Sequence, residues 1–217
     1  MANAIDFAKL FIKRGLDTHR NTYDGNMKIQ KLLFFANIIS LSEKGEPLFA
    51  DPICAFKNGC VIESVRLRYK NDYANLYSDS VRFKPDFTQD QYDVINLTGE
   101  LFGQLSAKEL SELDHSFSFW HTALERSNVN EYRNKELSII SLDEMRNELS
   151  AIKKVIDSYK TNIAARKFKE VVNGIIFYYD STMTITDEIL EQLESFSFEA
   201  EDDAYTIYID DGNLVIY

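Results

Sequence analysis

The segment from Met27 to Leu41 limits the folds open to this chain more than any other segment does. It reads MKIQKLLFFANIISL, so apolar side chains would lie on nearly every side of the helix that it forms. Such a helix is stable in water only when other parts of the protein cover it, and it normally lies at the centre of a domain. The sequence therefore predicts a domain built around one buried helix.

Other helices are predicted on both sides of this segment. Three predicted helices are preceded by a Ser or Thr that stands three residues before Gln or Glu, which is the spacing of a capping box. These pairs are Thr88 with Gln91, Ser106 with Glu109, and Ser141 with Glu144. Apolar residues at helical spacing follow each pair, and the last pair opens a predicted long helix that reaches Tyr159. A polar loop is predicted at Leu16–Asn26, a short extended segment at Ile53–Phe56 and a helix at Val61–Tyr69. Residues 1–165 are thus predicted to form one mainly α-helical domain.

The pattern changes after residue 165. Asn173-Gly174 stands between two runs of β-prone residues, and this dipeptide favours a hairpin because both positions tolerate a positive φ. The predicted strands are Phe168–Val172, Ile175–Tyr179, Ala204–Ile209 and Asn213–Tyr217, with a helix at Asp187–Phe196. Residues 166–217 are therefore predicted to form a small β-β-α-β-β module, and the fold class of the chain is α+β.

The negative charge of the chain is concentrated in this module. The net charge is −11, and twelve of the 35 acidic residues lie from Glu170 to Tyr217, where no Lys or Arg occurs. Phosphate backbones would be repelled, which argues against direct nucleic-acid binding, whereas a basic protein would be attracted. The densest acidic positions, and the candidate partner-binding residues, are Glu201, Asp202, Asp203, Asp210 and Asp211. Solubility alone is the competing explanation for this charge.

Composition also bears on location. No apolar run reaches the roughly 18–20 residues of a membrane span, and the first residues lack the basic start and apolar stretch of a signal peptide. Cys54 and Cys60 are the two cysteines, too few for a disulfide framework. We therefore expect a cytoplasmic protein without a membrane partner.

No motif indicates catalysis, a metal or a cofactor. Asp114, His115 and His121 lie close together, but HExxH, GxSxG and phosphate-binding glycine loops do not occur. Cys54 and Cys60 lack zinc-ribbon spacing. A hydrolase that uses His115 and acidic neighbours stays open as the less favoured alternative to a binding protein.

Two segments resemble the Panacea domain, also described as SocA-like or phage-associated GepA-like. The first is Lys28–Val65, KIQKLLFFANIISLSEKGEPLFADPICAFKNGCVIESV, and the second is Leu105–Leu124, LSAKELSELDHSFSFWHTAL. They are similar in order and spacing to the family's Lys-rich apolar helix, its Gly-containing turn before a helix, and its His followed by Trp. Cys60 stands where the family usually has proline, and Asp114 where threonine is common. The scaffold residues that the resemblance indicates are Lys28, Lys31, Leu32, Leu33, Phe35, Gly59, Val61, His115 and Trp120.

The resemblance implies a function as well as a fold. Panacea proteins are antitoxins that neutralise a toxin by direct binding, and SocA-like members can present the toxin to a protease. The expected partners are therefore a toxin with a basic surface and, in addition, a protease. The alternative within this class is a phage-encoded protein that inhibits a host or defence factor by binding it.

Overall fold

The computed structural model of the protein describes residues 3–129, 132–164, 167–210 and 212–217. The chain divides into two compact units, Met1–Lys154 and Val155–Tyr217. Within the described ranges, no helix is long and apolar enough to cross a membrane. The sequence-based boundary at residue 165 stays a prediction.

Helix α2 (Tyr23–Lys44) is the centre of the first unit, as the sequence predicted. Every residue from Lys28 to Leu41 is buried, including two lysines. The predicted loop at Leu16–Asn26 is wrong over its last four residues, which belong to the helix. The reason is a local cap, because the Thr22 hydroxyl accepts the Gly25 N–H (3.0 Å) and starts the helix early.

Other helices surround α2, and α1, α3, α5, α6 and α8 are among those that pack on it directly. All three capping boxes predicted from the sequence are present. The helices of this unit are α1 (Ala4–Lys13), α3 (Glu63–Asn71), α4 (Tyr73–Arg82), α5 (Gln89–Phe102), α6 (Ala107–Asp114), α7 (Ser118–Ser127) and α8 (Leu142–Arg146), with a 3-10 turn at Glu136–Ser138.

A short hairpin of strands β1 (Ile53–Phe56) and β2 (Gly59–Ile62) is inserted among these helices. The strand at Ile53–Phe56 was predicted, but the helix predicted from Val61 is wrong at its start, because Val61 and Ile62 belong to β2. The free edge of β1 is covered, since Ile140 N–H donates to the Ile53 carbonyl (2.9 Å). A two-stranded hairpin is marginal alone in water, so this one depends on its surroundings.

Three further elements differ from the prediction. The long helix expected from Leu142 is two helices, α8 and α9 (Leu149–Ala164), and α9 crosses the boundary between the units. In the break, the Glu148 carboxylate accepts the N–H groups of Ser118 (2.8 Å) and Phe119 (2.9 Å) at the start of α7. Helix α4 and the small pair β3 (Asn128–Val129) and β4 (Tyr132–Arg133) were not predicted.

The second unit has the predicted β-β-α-β-β order. Its strands are β5 (Lys167–Val172), β6 (Ile175–Asp180), β7 (Ala204–Asp210) and β8 (Asn213–Ile216), with helix α10 (Asp187–Ser197) between β6 and β7. The sheet order is β5-β6-β7-β8, and the β6–β7 pair is parallel because α10 carries the chain back across the sheet. Asn173 and Gly174 both have positive φ (51° and 89°), as predicted for the hairpin turn. Val172, Phe177, Leu193 and Ile207 form the core.

Candidate functional site

The tip of the β1–β2 hairpin is fixed by a buried ion pair between α2 and α6. Lys31 Nζ lies 2.7 Å from Asp114 Oδ2, and neither side chain is exposed to solvent. Lys31 also donates to the carbonyl oxygens of Asn58 (2.5 Å) and Cys60 (3.3 Å), and Asp114 Oδ2 accepts the Cys60 N–H (2.9 Å). We call Lys31, Gly59, Cys60 and Asp114 the anchor cluster. The Lys31 ammonium and Asp114 Oδ2 are bonded to each other and to backbone, which lowers the cost of burying the ion pair, whereas the buried Asp114 Oδ1 has no hydrogen-bond partner among the described residues.

Gly59 is required in this cluster for two separate reasons. Its φ is +96°, a region that side chains other than glycine rarely adopt. A Cβ at this position would also lie 2.2 Å from Asp114 Oδ1 and 2.2 Å from Lys31 Nζ. The two charged groups thus occupy the space that glycine leaves free, and the turn and the ion pair depend on each other.

Further contacts tie the hairpin to the helices beside it. Trp120 Nε1–H, on α7, donates to the Phe56 carbonyl (3.0 Å), and its ring stacks on His115 at 3.9 Å between centroids. On α2, Gln30 Oε1 accepts the Ile62 N–H (2.8 Å). The Ser111 hydroxyl, on α6, donates to the Asn58 carbonyl (3.0 Å). Side chains from three helices therefore hold the main chain of one hairpin.

The ionisation of these groups follows from their burial. Burial raises the pKa of Asp114 to about 6, although the Lys31 ammonium opposes the shift. Burial and the Asp114 charge raise the pKa of the Cys60 thiol, which therefore stays protonated near neutral pH and is a poor nucleophile. The pKa of His115 is lowered by burial and by Lys31, so its imidazole is neutral at pH 7.

Asp114, His115 and His121 do not form a metal site in the structure. His121 is exposed, and His115 Nε2 lies 3.7 Å from Asp114 Oδ1. The described residues contain no group of three or more His, Cys, Asp or Glu side chains that could hold a metal ion. Cys54 and Cys60 are both free and buried.

A cavity of about 460 Å³ opens between the hairpin, the start of α2 and helix α3. Its volume is within the roughly 300–1,000 Å³ of small-molecule sites. However, the polar groups of its inner walls already bind one another. Lys31 has three acceptors, Asn26 Nδ2 donates to the Arg66 carbonyl, and the Tyr69 hydroxyl donates to Asp17. These bonds stabilise the walls and leave few groups for a ligand.

The comparisons with known proteins bear on this part of the chain. Residues 29–121 match the family model described as antitoxin SocA-like, Panacea domain. This part of the chain is therefore similar to the Panacea domain. The match encloses the whole anchor cluster together with His115 and Trp120. Searches among curated proteins and among solved structures found no match.

Apart from Lys28, the scaffold residues that the resemblance indicates lie in two groups. Leu32, Leu33 and Phe35 lie in the apolar core, at most 2% exposed. Lys31, Gly59, Val61, His115 and Trp120 lie in or around the hairpin anchor, while Lys28 donates to the Gly103 carbonyl (2.8 Å) at another point on α2.

Asp114 is the residue of this site that sequence reasoning did not recognise. It was weighed as a metal or acid/base candidate and as a departure from the family pattern, not as the partner of Lys31. A signal was available, because Ala107, Leu110, Ser111 and Asp114 share the buried face of α6. A carboxylate on a buried face requires a partner of opposite charge, and Lys31 lies on a helix that is buried all round.

The acidic positions belong to the second unit and fall outside the residues that the family model matches. Glu201, Asp202 and Asp203 are exposed and directly precede β7, and the Tyr205 hydroxyl accepts the N–H groups of Glu201 and Asp202 (both 2.8 Å). Asp210 is exposed at the end of β7. Asp211 lies outside the described residues.

Proposed function

We propose that the protein is an antitoxin that neutralises a toxin by binding it directly. The observation that carries this proposal is the match of residues 29–121 to the antitoxin SocA-like Panacea domain. The match covers the central helix, the anchored hairpin and the Trp120 contact, which together form the folded scaffold of the first unit.

The state of the buried polar groups supports binding rather than catalysis. General acid/base or nucleophilic work requires a group with a suitable pKa that can reach a substrate. The Asp114 carboxylate and the Lys31 ammonium are fully buried and bind each other, the Cys60 thiol is protonated, and His115 is stacked on Trp120. These side chains serve to hold the hairpin in place.

The acidic second unit is proposed to attract a toxin with a basic surface. The candidate positions are Glu201, Asp202, Asp203, Asp210 and Asp211. An exposed ion pair contributes about 0–1 kcal/mol. Many carboxylates together raise the association rate more than they raise the final affinity.

The direct test uses the product of the adjacent gene, because antitoxins are normally encoded beside their toxins. Expression of that product alone should stop growth, and co-expression of this protein should restore it. The purified proteins should form a complex and block the toxin without any protease. A toxin that is neutralised in cells but untouched by the purified protein would point instead to presentation to a protease. A harmless neighbour that forms no complex would contradict the antitoxin proposal.

The contribution of charge is tested with two variants that each lose five negative charges, at different positions. One replaces the five candidate acids by Asn or Gln. Its control replaces five exposed acids at and after α10, namely Asp187, Glu188, Glu191, Glu194 and Glu199. We expect the first variant to associate more slowly with the toxin at low salt, and the difference to shrink near 0.15 M salt, where the screening length is about 8 Å. Equal association rates for both variants would mean that only total charge matters.

A further inference from the structure

Helix α10 packs on one face of the sheet in the second unit. Side chains alternate between the two faces of a strand. Phe177 on β6 and Ile207 on β7 point into the core with Leu193 of α10. Their neighbours in sequence therefore point to the opposite face, which we call the open face.

The open face carries large apolar and aromatic side chains that are exposed to solvent. Its exposed members include Val171, Tyr178, Tyr208 and Tyr217, with exposed fractions of 55, 37, 41 and 68%. The rings of Tyr208 and Tyr217 meet edge to face, with centroids 5.7 Å apart. By contrast, Tyr179 and Tyr205 pack against the core. The tyrosines of this unit are thus divided between a structural set and an exposed set.

Carboxylates lie at both ends of this apolar strip. Asp180 and Asp210 follow Tyr178 and Tyr208 by two positions, so they project from the same face. At the opposite end, Glu201–Asp203 precede Ala204, which pairs with Ile176. Lys169 lies on the outermost strand, opposite Tyr178.

This combination selects one kind of partner. Guanidinium and ammonium groups bind over tyrosine rings and pair with carboxylates, while their aliphatic stems cover apolar surface. Tyrosines are also enriched among the residues that dominate binding energy at interfaces. A second copy of this chain that docked through its own open face would be a poor occupant, since it would bring carboxylates against carboxylates. A nucleic acid would be repelled for the same reason.

We infer that the open face is the surface on which the toxin docks, through Arg and Lys side chains that lie over Tyr178, Tyr208 and Tyr217 between the flanking carboxylates. This inference rests on the proposed antitoxin function and specifies where the second unit makes contact. The carboxylates increase the rate of encounter, and the tyrosines slow dissociation.

The test compares two variants of the full chain. In the first, Tyr178→Thr and Tyr208→Thr together remove two rings from the open face while keeping residues that favour strands. In the control, Phe198→Thr removes an aromatic ring that is 83% exposed but follows α10, outside the sheet. Binding kinetics with the purified adjacent gene product should show a dissociation constant at least tenfold higher for the double variant, mainly through faster dissociation. The control should remain within twofold of the wild type.

A second measurement does not depend on any variant folding. Hydroxyl-radical footprinting of the wild-type chain should show Tyr178, Tyr208 and Tyr217 protected in the complex, and Phe198 modified as in the free protein. If the wild type binds the toxin but these tyrosines stay reactive and the double variant binds normally, the docking surface lies elsewhere while the antitoxin function stands. Protection of the open face in a dimer of this chain alone would assign the face to a second copy. If the wild type neither binds nor neutralises the neighbour, the function itself fails, and this inference with it.

Discussion

Replacing Gly59 by alanine tests whether the turn and the buried ion pair depend on each other. A left-handed backbone costs a residue with a Cβ about 1–2 kcal/mol. The added methyl would lie 2.2 Å from both Lys31 Nζ and Asp114 Oδ1, and relieving such overpacking costs about 1–3 kcal/mol. If the two charges separate, the loss approaches the roughly 3–5 kcal/mol of a broken buried pair. We therefore expect Gly59→Ala to lower the free energy of unfolding by about 3–5 kcal/mol.

Gly45→Ala is the matched control for backbone strain. Gly45 has a φ of +75°, but a Cβ there would meet no atom within 4 Å. Its replacement should cost only the backbone penalty of about 1–2 kcal/mol. Urea unfolding followed by tryptophan fluorescence measures both losses of stability. Trp120 is the single tryptophan of the chain and lies in the first unit, as both glycines do.

The comparison between the two glycines decides the outcome. Equal losses of about 1–2 kcal/mol would mean that Lys31 and Asp114 yield to a methyl group without cost. The claim that Gly59 is needed for the space between them would then be wrong. A loss at Gly59 that exceeds the loss at Gly45 by about 2 kcal/mol or more supports it.

Three more predictions concern the same unit. Lys31→Met should lower the free energy of unfolding by about 3–5 kcal/mol, because it leaves Asp114 buried without a counter-charge. Adding Asp114→Leu should restore most of the lost stability in urea unfolding. A double variant as unstable as the single one would refute this. Because the pKa of Asp114 is raised from 3.8 to about 6, its contribution to stability is full below about pH 4 and is lost as the pH rises through 6. The unfolding free energy of the wild type relative to Asp114→Asn should thus fall by up to about 3 kcal/mol from pH 4 to 7, and a constant difference would contradict the shift. Leu33→Ala should lower the free energy of unfolding by about 2–5 kcal/mol in thermal or urea unfolding. The control, Leu67→Ala at a half-exposed position on α3, should lower it by less than about 1 kcal/mol. Similar losses would mean that Leu33 is not in the core.

Features set by local chemistry were predictable from the sequence. The Asn173-Gly174 turn and the capping box at Thr88 depend only on neighbouring residues, and both are present. The buried central helix was also predictable, because no other environment suits its composition. Helix α4 was missed since only Leu76 and Ser80 of its residues are buried, too weak a pattern to recognise.

Features that depend on distant partners were not predictable in the same way. Val61 was placed in a helix because apolar residues at helical spacing follow it, but Gln30 and Asp114 bind the neighbouring amides of Ile62 and Cys60 and so favour a strand. The partnership of Lys31 with Asp114 likewise joins two segments far apart in sequence. The acidic cluster could be recognised from composition alone. The strand register was needed to determine which tyrosines lie on the same face as these carboxylates.

The way in which the hairpin is held has a consequence for hydrogen exchange. The amides of Cys60 and Ile62 donate to side chains of α6 and α2 rather than to another strand. Fraying of the hairpin alone cannot free them, because each proton is released to solvent only when the strand leaves a helix that packs against it. These two amides should therefore exchange with deuterium only as fast as the strand separates from α6 and α2, and more slowly than fraying of the hairpin would allow. Two protons in a four-residue strand would then report the separation of the hairpin from the helices that hold it.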